Sequence, residues 1–465
     1  MPENLEHGPI KWDLGTYRQY LPYLGRYLSI LLSSIGRSER RVATARYVEG
    51  LLLPGRRKFI RPLAERLNVD PQSLQQAVAN SPWKEQPVWS TIRTQVLPLF
   101  EPLHLALLHE RAWVRQGEAT VGVINQRCGA NGKKAHCQVA LEVLLSDGAI
   151  AAPAAGQLYL PENWAGDRER REAADIPENI GFSSRPVLAI QLLKEILQDG
   201  LTPGTLLADS SYGNDPDFRS ALIRMGLEFF LEIDPDTNMA WDFDATARDS
   251  STGLQQPGPF SLEEIIRSLD ASEWKTCTWV SGVGTTRHTR FAIREIFLDS
   301  TYRIQGELQK LWLIVDWPSD HIKPYRCYLG SFHRKPGEIK CLHLSRQRSF
   351  LDHYQKSFEG DLDLTCYQGR SWKGFHHHLV LAAAAYLFVL MIELRRRRGF
   401  WPELGTDFPI DPVLSDEAAR LASVLFRCGT VPENPLAEGN DNSFGRRSTS
   451  NGFTKGPSAM RTGNA

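Results

Sequence analysis

The stretch LLADSSYGNDPDFR, residues 206–219, decides how the chain is read. It describes a buried strand ending in a carboxylate, then a polar turn, then a helix. Leu206, Leu207 and Ala208 form a short apolar run, and Asp209 stands where such a strand stops. Ser210, Ser211, Gly213, Asn214 and Pro216 are turn residues. Phe218, Ala221, Leu222 and Met225 then recur at helical spacing. Open α/β sheets place their chemistry at the carboxyl ends of strands, which makes Asp209 a candidate functional acid. The plainer alternative is an aspartate that only caps the helix after it.

Working outward, SRPVLAIQLLKEILQDG (184–200) predicts an amphipathic helix with Ser184 as cap, Pro186 in the first turn and Gly200 as stop. Before it, LHLALLHERAWV, TVGVINQRCG and AHCQVALEVLLSDGAIAAPAAGQLYL suggest three antiparallel strands. The charged run Asn163–Ile176 reads as a surface insertion. After the central stretch, a helix ends at Gly226 and LEFFLEID gives another strand. A meander followed by alternating helix and strand is an RNase H-like pattern: a mixed α/β sheet with flanking helices. CTWVSGV, TRFAIREIFL and KLWLIVDW make residues 235–345 a β-rich insertion that also holds the remaining strands. Residues 346–400 read as the C-terminal helices of the core. Residues 401–465 form an extension whose tail, from Gly429, has a disordered composition. The core's first part is thus 101–234, behind a helical N-terminal domain at 1–100.

Lys plus Arg and Asp plus Glu each number 54, so any nucleic-acid footprint has to be local. Residues 37–66 supply one, with Arg56, Arg57, Lys58 and Arg61 among many cations and few acids. RPLAERL, the turn NVDPQ and SLQQAVANSPW resemble a helix-turn-helix. Ser73 is the expected cap, Leu74, Ala77 and Val78 face inward, and Gln75 and Gln76 remain outside to read base edges. The structural alternative is a solvated bundle face. The seven scattered cysteines show no CxxC pair and suit buried thiols in a reducing compartment. The N-terminus lacks an apolar signal core, and Leu379–Leu394 is short for a membrane span. A cytoplasmic protein without membrane association is expected.

Several blocks carry a resemblance. RYVEGLLLPGRRKFIRPLAERL, ANSPWKEQPVW, TVGVINQRCG, AHCQVALEVLLSDG, LYLPENW, LLADSSYGNDPDFR and GRSWKGFHHHLVLAAAAYLF resemble, in order, DDE-type transposases of bacterial insertion sequences. The likeness runs from about residue 40 to about residue 400. It implies an RNase H-like core that cuts and joins DNA at element ends with two Mg²⁺ (or Mn²⁺) ions, held by Asp, Asp and Glu. Hard ions take carboxylate oxygens. Asp209 matches the second aspartate. At the first position, expected at the end of the LHLALL strand, the chain has His109 and Glu110. Glu110 is longer by one methylene, and His109 is a poor Mg²⁺ ligand. For the third acid, Asp352 is the first choice and Glu359 the second. The implied metal set is Asp209, Glu110 and Asp352. Arg370 and Lys373 are implied DNA-backbone contacts, with Trp372 either beside them or structural.

A transposase must hold two duplex ends in one assembly, which implies a homodimer on double-stranded DNA. Two alternatives stand beside it: a transposase-derived DNA-binding protein without catalysis, and a metal-dependent hydrolase acting on another substrate. His376, His377 and His378 are consecutive on a helix and point apart, so they cannot chelate one ion together. Arg395–Arg398 suits a helix C-terminus or phosphate contact. Tyr212 and Asn214 shape either the acid pocket or only its turn. No P-loop, dinucleotide fingerprint or paired-cysteine zinc motif is present.

Overall fold

The computed structural model describes residues 12–398 except 101, 116, 129–132, 237, 243–259, 281–284, 299–309 and 319–325. The extension 401–465 and its tail lie outside the described residues, as do the side chains of Arg395–Arg398.

The N-terminal helices are α1 (Leu14–Leu31), α2 (Ser38–Leu52), α3 (Ile60–Leu67), α4 (Pro71–Gln75) and α5 (Glu85–Thr91). The helical hairpin expected at 61–83 is α3 and α4, joined through Asn68 in the left-handed region at φ 53°. Its cap is not Ser73. Asp70 takes that role, accepting from the Gln72 N–H at 3.0 Å, and Pro71 supplies the preset φ of a first helical residue. Leu74, Ala77 and Val78 are buried, while Gln75 and Gln76 are exposed.

The sheet follows with β1 (Leu105–Val114), β2 (Ile124–Cys128), β3 (Lys133–Ser146) and β4 (Ala152–Leu158). β1 pairs antiparallel with one edge of β3, and β2 and β4 share the other edge. Four strands therefore replace the expected three. The charged run 163–176 is less of a surface insertion than expected. It folds as α6 (Glu162–Ala165) and α7 (Arg168–Ala173), and Trp164 is buried with its indole N–H on Val123 O at 3.0 Å. Next come α8 (Arg185–Gln198), β5 (Thr205–Ala208), α9 (Ser210–Gly213), α10 (Pro216–Arg224) and β6 (Glu228–Ile233). β5 lies parallel to both β1 and β6, giving the order β3-β1-β5-β6 with the first pair antiparallel. That is the RNase H-like arrangement.

The region after β6 does not leave the sheet. β7 (Met239–Trp241), β8 (Phe260–Ser261), α11 (Leu262–Arg267), β9 (Lys275–Val280), β10 (Thr286–Leu298), β11 (Lys310–Pro318) and β12 (Arg326–Gly330) follow in sequence. β12 pairs with β6, and β11, β10 and β7 extend the same sheet beyond it. The chain returns as α12 (Glu338–Arg346), α13 (Arg348–Gln355) and α14 (Trp372–Arg398).

α14 is apolar on all sides because it is covered on all sides. It is long and apolar enough to cross a bilayer, yet 89% of its most apolar window is buried in the protein. The N-terminal helices pack around it. The Tyr27 hydroxyl donates to Ala384 O at 2.8 Å, and Tyr47 meets His378 Nδ1 at 2.8 Å. The three imidazoles diverge as expected. His376 Nε2 accepts from the Leu158 N–H, His377 meets Val78 O and Trp83 O, and His378 also meets Leu364 O. Among the cysteines, Cys277, Cys327, Cys341 and Cys366 are free thiols, but Cys137 is disulfide-bonded, which corrects the expectation of thiols alone.

Candidate active site

β1 and β5 bring the first two acids together. Leu107 pairs with Leu207 in parallel register, so Asp209, one residue past β5, lies level with the His109–Glu110 step of β1. Glu110 is not at a strand end. β1 continues antiparallel to β3 as far as Val114, because Trp113 and Ala112 still find partners there. Only the pairing with β5 stops early, and this opens the sheet at Glu110.

A cavity of about 460 Å³ occupies that opening. Glu110, Asp209 and Asp352 all line it, with Leu207, Leu344 and Gln355 among the remaining wall. Asp352 reaches it from α13 and is exposed, as is Asp209. Glu232 of β6 and Arg326 of β12 also face it, 3.5 Å apart. The sequence reading passed over Glu232, although LEFFLEID carries the same signal as the central stretch: a carboxylate near the carboxyl end of a parallel strand.

The three acids sit in different settings. Asp209 caps α9, accepting from the Ser211 N–H at 3.0 Å and from the Ser211 hydroxyl. The capping role and the cavity position thus coexist. Glu110 has both oxygens engaged: Oε2 by Arg185 Nη1 at 2.7 Å and Oε1 by the Tyr212 hydroxyl at 2.7 Å. Burial raises its pKa above the ordinary carboxylate value, Arg185 and the Tyr212 bond pull it back down, and the charge of Asp209 adds a further upward push. Tyr212 is likewise pushed well up, by burial first and then by Glu110, so it stays a donor. Arg185 is held on two further sides, by Gln126 Oε1 at 2.7 Å and by the Tyr159 ring at 4.9 Å. Beside Glu110, burial and then Arg111 lower His109 to about 3, leaving it neutral.

Glu359 is placed elsewhere. Its Oε1 accepts from Arg111 Nη1 at 3.0 Å, and the same guanidinium meets the fully buried Glu142 at 3.1 Å. Arg111 also lies over the rings of Tyr354 and Phe358, at 4.7 and 4.0 Å. This network joins β1, β3 and the segment after α13, and it fixes the helix that carries Asp352.

A divalent ion is a mixed match to these residues. The donor chemistry is right, since three hard carboxylates share one cavity. The arrangement is not. Among the described residues no three His, Cys, Asp or Glu side chains gather closely enough to hold a metal. Glu110 moreover spends both oxygens on Arg185 and Tyr212. As they stand, the residues do not fit a bound ion.

Of the residues expected to meet DNA, Arg56, Arg57, Arg61, Gln75, Gln76 and Arg370 are exposed. Lys373 pairs at the surface with Asp175 at 3.2 Å. Lys58 turns inward instead: its ammonium is buried on Leu51 O, and burial lowers its pKa to about 7. A buried amine already committed to a carbonyl is not presented to a phosphate, so Lys58 drops out of the set.

The family model described as "DDE superfamily endonuclease" matches residues 30–286. The match contains Glu110 and Asp209 but stops before Asp352. A solved structure, a piggyBac transposase synaptic complex with hairpin DNA, is similar at 10% identity and a TM-score of 0.33, covering 92% of this chain and 79% of that one. At that distance it assigns no residue. No curated protein matches the chain. With more than half of its length matched by that family model, the chain belongs to the DDE superfamily endonucleases.

Proposed function

We propose that this protein is a DNA transposase that cuts and transfers strands at the ends of an insertion sequence, and that the cavity between β1, β5 and α13 is where the phosphodiester is cut. The observation that carries the reading is the shared cavity of Glu110, Asp209 and Asp352, three acids about 100 residues or more apart along the chain. In this reading Asp209 and Asp352, both exposed to the cavity, are the acids available at the cut, and Ser211 fixes the Asp209 rotamer. Arg326, which also lines the cavity, offers a cation to the phosphate. Arg56, Arg57, Arg61, Gln75, Gln76, Arg370 and Lys373 hold the flanking duplex. Two duplex ends in one complex require at least two copies of the chain.

A second reading has its own support. The Arg185–Glu110 pair, and the lack among the described residues of three acids close enough to hold a metal, favour a protein that keeps the scaffold and binds DNA ends without cutting. The two readings separate on one experiment. The full-length protein is incubated with supercoiled plasmid carrying the repeats that flank its gene, with Mg²⁺ or Mn²⁺, beside Asp209→Ala. Nicking by the wild type that is lost in the variant supports the transposase. Salt-sensitive binding with no nicking supports the binder. A protein with no affinity for DNA fits neither.

A further inference from the structure

The region from Trp274 to Arg294 contains Lys275, Arg287, Arg290 and Arg294 but no acid; the nearest acids are Glu273 and Glu295 at its borders. Its described residues include β9 and the first part of β10, which pair as a ribbon with Arg287 opposite Trp279 and His288 opposite Thr278. Lys275, Thr276, Thr278, Thr286, Arg287 and His288 are all exposed. Some exposed cations elsewhere are neutralised locally, Arg168 by Glu172, Arg267 by Glu263 and Lys310 by Glu295. Among the described residues Lys275 and Arg287 have no carboxylate partner.

The ribbon is also aimed. Side chains alternate along a strand and paired residues share a face, so Lys275, Cys277, Trp279, Arg287 and Phe291 lie on one side. α12 packs on that side, through Cys341 and Leu344 against Phe291 and Cys277. Leu344 and the next residue, Ser345, line the acid cavity. The residue after them, Arg346, lies 4.6 Å from the Trp279 ring and is anchored on Asp316 at 3.2 Å. A continuous path therefore runs from the acids over the end of α12 to Arg346, Trp279 and Arg287. On the other side, Trp274 and Trp317 hold Arg290 between them, at 5.5 and 4.8 Å, and stiffen the ribbon's base.

We propose that the β9–β10 ribbon is a second DNA-binding element, taking the phosphate backbone of the duplex that leads away from the acid cavity. β9 is an edge strand of the sheet, β10 pairs with β9 alone at Thr286–His288 among the described residues, and lysine and arginine along such an exposed edge reach the phosphates of a duplex laid against it. This rests on the reading of the cavity as the place where DNA is cut. The competing explanation is that the charges only keep an open strand edge from pairing with another chain. That explanation makes no demand on DNA affinity.

The test uses the full-length protein and a labelled random-sequence duplex, with binding followed by fluorescence anisotropy across a salt series. Lys275→Gln/Arg287→Gln should weaken binding and flatten the plot of log K against log salt by about 2, since each lost phosphate contact removes about 0.9 of slope. Lys275→Arg/Arg287→Lys should bind as the wild type does. Arg168→Gln/Arg267→Gln should leave the slope unchanged. All of these positions are exposed, and equal thermal midpoints confirm that the variants fold. Wild-type affinity and slope in Lys275→Gln/Arg287→Gln overturn the ribbon alone, as does an equal loss in Arg168→Gln/Arg267→Gln. No DNA binding by the wild type overturns the ribbon together with the reading of the cavity.

Discussion

Replacing Arg185 by Gln removes the cation that keeps Glu110 ionised in its half-buried site. Removing one partner from a fully buried ion pair costs about 3–5 kcal/mol, whereas exposed pairs are worth about 0.2–1 kcal/mol. The side chains here are 28% and 21% exposed, between the two cases, and a loss of about 2 kcal/mol follows at neutral pH. At about 2.1 cal/mol/K per residue, that is a fall of roughly 2–3 °C in the thermal midpoint of a chain this long. The pH dependence has a definite sign. Glu110 already has a folded pKa above its ordinary value, chiefly from burial. Such a carboxyl adds stability below its unfolded pKa and loses it as pH rises through the folded value. Without Arg185 the folded pKa rises further, so the deficit of the variant is small near pH 4 and grows toward pH 8. Differential scanning calorimetry across that range measures it, with Glu110→Gln and the double variant completing a cycle. A deficit equal at pH 5 and pH 8, or strict additivity of the two substitutions, refutes the reasoning.

Three other substitutions probe the frame around the cavity. Gly213→Ala puts a methyl 1.8 Å from Glu232 O, a backbone atom that cannot turn aside, so the variant should be recovered insoluble or unfolded by circular dichroism. Arg111→Ala strands the fully buried Glu142 and should cost about 3–5 kcal/mol in urea titrations, while Arg111→Met/Glu142→Leu recovers a good part of the loss. His109 is held neutral to about pH 3, and its Nε2 is buried without a partner. The unfolded chain takes up that proton first, so stability falls by about 1.4 kcal/mol per pH unit below pH 6.5. His109→Leu should reduce the difference in thermal midpoint between pH 7 and pH 5; an unchanged difference would show that His109 is protonated in the fold.

How much of this was legible in the sequence differs from residue to residue. The central stretch gave its strand and the helix after Pro216, because an apolar run, a carboxylate and a proline each constrain the backbone locally, but the residues expected as a turn, Ser210–Gly213, form the short helix α9. The role of α14 was legible too, since a helix with no polar face needs cover on every side. Pairings set by tertiary contact were not. Glu110 was expected at a strand end, yet nothing local says that β1 leaves β5 after Leu107 while staying with β3 to Val114. Lys58 belonged to a basic cluster in sequence and lost its exposure only because the chain turns it onto Leu51 O. The Arg185–Glu110 contact joins residues 75 apart, one on a helix and one on a strand, and neither neighbourhood announces it. Ser73 is the cap expected from the sequence, and the proline at position 71, preset for the first helical residue, places the cap at Asp70 instead.

The most direct measurement is strand cleavage of the flanking-repeat plasmid by the wild type and by Asp209→Ala, run beside a binding assay on the same DNA. Nicking by the wild type that vanishes in the variant while binding is retained is the expected result. Equal cleavage by both proteins, or tight binding by the wild type with no cleavage under Mg²⁺ or Mn²⁺, would contradict an acid cavity that cuts DNA.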